Sequence, residues 1–142
     1  MSTGPFDSTL GDVGGKEQEQ RVDALGVTFT VGGSHTDTVN VAVQFTDAWG
    51  KNLAHSVAGL FYLADDTAGL VFTASGPDGA NAIGTDGAAV EIIADQLWAF
   101  NTEADGQFDF NVKHTGGAVD WYLVVILPNG RLAISSKIEL TA

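Results

Sequence analysis

Val39-Asn40-Val41-Ala42-Val43-Gln44-Phe45, followed at once by Thr46-Asp47-Ala48-Trp49-Gly50, decides the fold class of this chain. The odd positions of the first stretch are apolar and the even positions small or polar. A period of two predicts a β-strand with one buried face, because successive side chains of a strand point to opposite sides. The Asp-x-x-Gly block that follows is an ordinary turn between antiparallel strands, except for the Trp near its tip. Related blocks return as Thr85-Asp86-Gly87 and as Thr102-Glu103-Ala104-Asp105-Gly106, the second leading into another alternating stretch, Gln107 to Lys113.

Working outward, Leu25 to Val31 alternates and stops at Gly32-Gly33. Val57 to Leu63 is denser in apolar residues, and Leu70 to Thr73 predicts a short strand before the loop Ser75-Gly76-Pro77-Asp78-Gly79. Pro presets φ there and Gly admits positive φ, which makes that cluster a loop signal. Ala89 to Ile93 and Gln96 to Phe100 predict two strands joined near Ala94-Asp95. Asp120 to Leu127 is a continuous β-rich run, as expected of a central strand covered on both faces. Pro128-Asn129-Gly130 then makes a hairpin turn. In the final strand Leu132, Ile134, Ser136, Ile138 and Leu140 fall on one face by simple alternation. No stretch keeps a helical period. Eight or nine short strands with hairpin-like connections predict an all-β domain, an immunoglobulin-like antiparallel β-sandwich.

A chain of 142 residues is one domain by length. Cys is absent, which excludes disulfides, thiolate metal sites and a Cys nucleophile. Met1 to Phe6 lacks a basic region followed by an apolar run, which predicts no secretory signal. The run Trp121 to Leu127 is too short to span a bilayer. Eighteen Asp and Glu against six Lys and Arg give a formal charge of −12. Such a surface repels phosphate backbones and anionic membranes, so neither nucleic acid nor membrane is an expected partner.

Residues 1–21 differ from the rest. Gly4, Pro5, Gly11, Gly14 and Gly15 punctuate them, and Lys16 to Arg21 is polar without an apolar stripe. This composition predicts a flexible N-terminal arm preceding a sandwich over 22–142. Within the arm Phe6, Leu10 and Val13 are spaced apolar residues, suited to ordering against a neighbouring subunit on assembly.

Chemistry is scarce. His35, His55 and His114 lack metal-ligand spacing. Ser34-His35-Thr36-Asp37 holds the letters of a catalytic triad, but adjacent residues of an extended chain cannot adopt its relay geometry. Asp65, Asp66, Asp78, Asp86, Glu103 and Asp105 sit in Gly-flanked turns, where an Asp side chain bonds nearby amides. A loop calcium site is conceivable, yet no stretch matches the Asp-x-Asp-x-Asp-Gly pattern. No catalytic, metal-binding or cofactor-binding residue is therefore assigned. Trp98, Phe108, Phe110 and Trp121 lie on strands and are expected in the core. Trp49 is either a lid over the sandwich end or an interface anchor. Of Phe61 and Tyr62, one faces in and one out. The candidate partner interface comprises Phe6, Leu10, Val13, Trp49 and Tyr62.

The blocks Thr46-Asp47-Ala48-Trp49-Gly50 and Glu103-Ala104-Asp105-Gly106 resemble those of bacterial and phage immunoglobulin-like modules. From about Val22 to Leu140 the chain also resembles small virion proteins of tailed bacteriophages. The likeness lies in Ala80 to Gly87, Glu103 to Gly106, and Tyr122-Leu123-Val124-Val125 with Leu127-Pro128-Asn129-Gly130. It implies a protein assembled in the host cytoplasm that decorates or cements the capsid exterior. There it would bridge major capsid protein subunits as a homo-oligomer. The same resemblance admits an adhesion or carbohydrate-binding module of a head or tail fibre, with Trp49 and Tyr62 as sugar platforms. It implies no catalytic residues.

Overall fold

The computed structural model describes residues 24–73 and 82–141. The arm over 1–21, with Phe6, Leu10 and Val13, and the Ser75 to Gly79 loop lie outside the described residues. Among the described residues there are ten strands: β1 (Gly26–Val31), β2 (Thr38–Thr46), β3 (Ala58–Ala64), β4 (Ala82–Ile83), β5 (Ala88–Ile93), β6 (Leu97–Asn101), β7 (Gln107–Lys113), β8 (Val119–Ile126), β9 (Leu132–Ile134) and β10 (Ile138–Leu140). The described residues contain no helix.

One sheet has the order β1-β2-β7-β4. The other runs β10-β8-β3-β6-β5, with β9 also on β8, and every strand pair is antiparallel. Lettered by the immunoglobulin convention, the first sheet is A-B-E-D and β10-β8-β3 is G-F-C. The hairpin β5-β6 enters between D and E and widens the second sheet beyond C. The fold is thus an immunoglobulin-like β-sandwich, as the alternating stretches predict.

Alternation becomes packing where the two inner faces meet. Val39, Val41, Val43 and Phe45 of β2 face Phe61 and Leu63 of β3, Trp98 and Phe100 of β6, and Trp121, Leu123 and Val125 of β8, all buried. Phe61 lies at the centre. Its ring centroid is 5.3 Å from Trp98, 6.0 Å from Phe100, 5.3 Å from Phe108 and 4.8 Å from Phe110. The four strand aromatics expected in the core are there: Trp98, Phe108, Phe110 and Trp121 are at most 3% exposed.

Two of the recurring acidic blocks share one geometry with the Pro-Asn-Gly turn. At Asp47 to Lys51, Glu103 to Gln107 and Leu127 to Arg131, the first residue's N–H bonds the fifth residue's carbonyl. The fourth residue's N–H returns to the first carbonyl. That fourth residue is Gly50, Gly106 or Gly130, at φ 81°, 75° and 85°. This is a type I turn closed by a left-handed bulge residue, a conformation that only Gly adopts without strain. Thr85-Asp86-Gly87 is a different structure, part of the crossover from β4 to β5.

Two expectations change. Leu70 to Thr73 is not a strand but a folded-back segment with a single bridge, Phe72 to Ala64. The last strand is not continuous either. Ile134 pairs with Val124 and Ile138 with Trp121, so four residues on this edge span three on β8. The extra residue is accommodated at Ser135, whose N–H bonds Leu123 O (2.9 Å) and whose Oγ accepts from Leu123 N (3.0 Å). A one-residue slip flips every following side chain. Hence Ile138 and Leu140 enter the core, while Leu132 and Ile134 face outward with β8's outer residues.

Candidate partner-binding surface

A solvent-facing sheet surface should alternate polar with apolar, but the outer face of the six-stranded sheet does not. Residues of opposite parity to its core set point outward, and the register aligns them in rows. One row runs Leu132, Ile126, Leu60, Ala99, Val90 across β9, β8, β3, β6 and β5. The neighbouring row runs Ile134, Val124, Tyr62, Leu97, Ile93 across the same strands. All ten residues are apolar or aromatic, so this sheet has two hydrophobic faces.

The segment 65–73 covers the second row at Tyr62, Val124 and Ile134, while the row's edge residue Ile93 remains 45% exposed. Tyr62 Oη donates to Gly69 O at 2.5 Å, and the Phe72 ring meets Tyr62 edge-on at 4.5 Å. Gly69 sits so close that a Cβ there would lie 3.2 Å from Val124 and 3.3 Å from Ile134. The segment is fastened at both ends. Asp66 Oδ1 accepts from Leu70 N and Val71 N, each at 3.0 Å. Trp121 Nε1 donates to Thr73 Oγ1 at 2.9 Å, and Gln96 Nε2 to Thr73 O at 3.2 Å. Burial on its own would raise the Asp66 carboxyl, but the amides of Val71 and Leu70 outweigh it and hold the group below its ordinary value. Burial, with the Asp66 charge nearby, pushes the Tyr62 phenol up.

The first row has no such cover among the described residues. Leu60, Ile126 and Ala99 are half-buried, whereas Val90 is 69% and Leu132 41% exposed. Beside it, Leu70 stands out from the covering segment at 79% exposure, with Val71 and Phe72 also exposed. Exposed apolar patches of this extent mark interaction surfaces more often than scattered surface residues do.

The interface residues taken from the sequence fall differently. Trp49 is 89% exposed, so it is no lid; its turn is built by Asp47 Oδ1, which accepts from Trp49 N (2.8 Å) and Lys51 N (2.9 Å). Tyr62 faces outward as one of the Phe61–Tyr62 pair must, but it is only 6% exposed. It therefore offers no ring to a partner, because the 65–73 segment lies on it. Trp49 lies in the turn after β2 of the four-stranded sheet and Tyr62 on β3 of the other, so the fold does not join them. In the triad-like stretch, His35 Nδ1 takes the Asp37 backbone N–H (3.4 Å), not its carboxylate. Among the described residues no three His, Asp or Glu come together as metal ligands.

Two features were missed. The apolar rows are invisible until the register is known, since Leu60, Val90 and Leu132 sit in stretches that read as ordinary strands. Asp109 reads as an outward polar residue of β7, yet it is 8% exposed. Its Oδ1 accepts from Thr85 N and Asp86 N, and its Oδ2 from Asn40 Nδ2, all at 2.8 Å. The signal available was the Gly84-Thr85-Asp86-Gly87 stretch itself, which presents successive amides to an anion.

No family model matches this chain, and no curated protein does. Among solved structures it is similar to a cohesin module from a Clostridium perfringens family 33 glycoside hydrolase. The identity is 10% and the TM-score 0.44, over 85% of this chain and 98% of that one.

Proposed function

We propose that this chain is a non-catalytic structural protein of a phage virion that decorates or cements the outer capsid. In this reading it binds across neighbouring major capsid protein subunits and gathers on the lattice as an oligomer. The observation that carries the reading is an apolar row, uncovered by any described residue, on a sheet whose other face forms the core. The virion-protein resemblance of the turn and strand blocks supports the identity of the partner. A rigid module that binds only the mature lattice stabilises it by mass action, and a net charge of −12 suits the side away from the genome. Purified protein added to mature capsids lacking it is expected to bind stoichiometrically and raise their disruption temperature. Absence of binding overturns the proposal.

The exposure of Trp49 supports a second reading, an adhesion or carbohydrate-binding module of a fibre. Glycan binding abolished by Trp49→Ala, without capsid affinity, would establish it. The burial of Tyr62 takes away the second stacking platform that this reading had assumed.

A further inference from the structure

We infer that Trp49 is a docking knob, a preordered indole that inserts into an apolar pocket of a protein partner. This rests on the capsid-binding reading and adds to it a contact away from the apolar row. Three turns of one geometry crown the same end of the sandwich, because Gln44 pairs with Gln107, Ala58 with Asn101 and Leu60 with Ile126. In each turn a side chain accepts the N–H of the fifth residue. At Glu103 to Gln107 and Leu127 to Arg131 that side chain belongs to the third residue: Asp105 Oδ1 takes Gln107 N at 3.2 Å, and Asn129 Oδ1 takes Arg131 N at 3.0 Å. At Asp47 to Lys51 the third residue is Trp49, which has no acceptor to offer. Asp47 at the first position does the work instead, its Oδ1 accepting from Trp49 N at 2.8 Å and Lys51 N at 2.9 Å. The third position is thereby freed from any duty to the turn. It carries an indole that is 89% exposed, more than any other large apolar side chain among the described residues.

Shape selects the partner. Ala48, Gly50, Lys51 and Asn52 are all exposed, so the ring stands on a convex tip with no walls of its own. Small-ligand sites are concave, and a lone ring on a tip offers a sugar one face and nothing around it. A convex aromatic instead matches a pocket on a protein, the usual seat of an interface hot spot, where Trp is enriched. A buried indole N–H takes an acceptor, so the pocket supplies one for Nε1. The tip is held by Asp47 N to Lys51 O at 2.9 Å, Gly50 N to Asp47 O at 3.1 Å and Leu53 N to Phe45 O at 3.1 Å. Docking then has little more than the side-chain torsions of Trp49 to fix, which keeps its entropic cost low.

The experiment uses the full chain and mature capsids that lack it. Trp49→Asn installs the residue type that the Leu127 to Arg131 turn carries at this position. It is expected to melt within about 2 °C of wild type and to bind capsids at least about 30-fold more weakly. Trp49→Phe keeps a ring without the N–H donor and is expected to lose about tenfold. Asp47→Ala is expected to lower Tm by about 3–5 °C, and Trp49→Asn in that background to recover most of the loss by restoring a third-position acceptor. A folded Trp49→Asn that binds capsids like wild type overturns this assignment and leaves the capsid reading standing. Failure of Trp49→Asn to rescue Asp47→Ala overturns it too, because the turn then does not exchange one acceptor for the other. Failure of the wild type to bind capsids overturns the capsid reading, and this assignment with it. Glycan binding that Trp49→Asn abolishes, without capsid affinity, overturns both in favour of the fibre module.

Discussion

Replacing Asp109 by alanine removes an acceptor that three donors share, and the cost follows from what each donor can do next. Thr85 N and Asp86 N both point at Oδ1, and Asn40 Nδ2 at Oδ2. A hydrogen bond to a charged group contributes about 1.5–3 kcal/mol net. Asn40 keeps a second partner, Asn111 Oδ1 at 2.8 Å, and Thr85 is exposed enough for water to reach its amide. With Asn40 and Thr85 partly compensated, the expected loss falls below the full sum of about 4.5–9 kcal/mol, to about 3 kcal/mol, or a fall of roughly 6–12 °C in Tm at this size. Asp109→Asn keeps Oδ1 for the two amides but turns an NH2 toward Asn40, and about 1–2 kcal/mol is expected. Gly84 supplies an internal check. A Cβ at that position would lie 1.9 Å from Asp109 Oδ2, so Gly84→Ala forces the carboxylate off its site. In the Asp109→Ala background the clash is gone, and most of the Gly84→Ala penalty should disappear with it. Urea unfolding followed by circular dichroism measures all four proteins. An Asp109→Ala loss under about 0.5 kcal/mol, or equal Gly84→Ala penalties in both backgrounds, refutes the reasoning. The consequence reaches the proposed surface, because this turn feeds the crossover into β5 and so places Val90.

Phe61→Ala empties the site where four rings converge and is expected to cost about 3–5 kcal/mol, read from the same unfolding curves. Tyr62→Phe deletes the bond to Gly69 O for about 1 kcal/mol, and faster hydrogen exchange at the amides of residues 69–71 should report it without loss of the core. Asp66 has a lowered folded pKa, so its support of the 66–71 turn is complete above its ordinary value of 3.8 and fades as pH falls through the depressed one. The amide resonances of Leu70 and Val71 should shift together in that acid range. Tyr62, raised above its ordinary 10.0, works the other way: its stabilisation is complete below that value and is lost as pH rises through the higher folded pKa. Its phenolate absorbance should appear late and coincide with release of the segment.

The parts of this fold legible in the sequence are those written by local alternation. Val39 to Phe45 and Gln107 to Lys113 each expose one parity to the core, and both became strands within a residue of their expected bounds. The Asp-x-x-Gly and Asn-Gly turns were also legible, since Gly at the fourth position is a local requirement. What failed was non-local. Alternation assigns Leu132 and Leu140 to one face, but a single extra residue at Ser135 separates them, and that residue is set by its bonds to Leu123 on another strand. Alternation required one of Phe61 and Tyr62 to face outward without saying which; Tyr62 does, and its burial depends on a segment that reads as a strand and instead folds back. Trp49 was legible as exceptional because its turn is complete without it.

The two faces of the six-stranded sheet explain why this chain is so acidic for its size. An ordinary sandwich spends its apolar residues inward and its polar ones outward, and exposed polar faces then keep it soluble. Here the outward residues of β3, β6, β8 and β9 in the two rows are apolar or aromatic as well, and Val90 extends the first row to the edge strand. One row is covered at Tyr62, Val124 and Ile134 by 65–73, and the other faces solvent among the described residues. A free molecule with such a row is prone to self-association unless something opposes approach. The net charge of −12 supplies that opposition at long range. The same charges cease to oppose contact once the approaching surface is basic. Acidity then opposes contact between copies in solution while the apolar row stays open to a partner. Neutralising surface carboxylates at a fixed row should therefore raise self-association, while replacing Val90 and Leu132 of the row by polar residues should lower it again, a pairing that sedimentation velocity can measure.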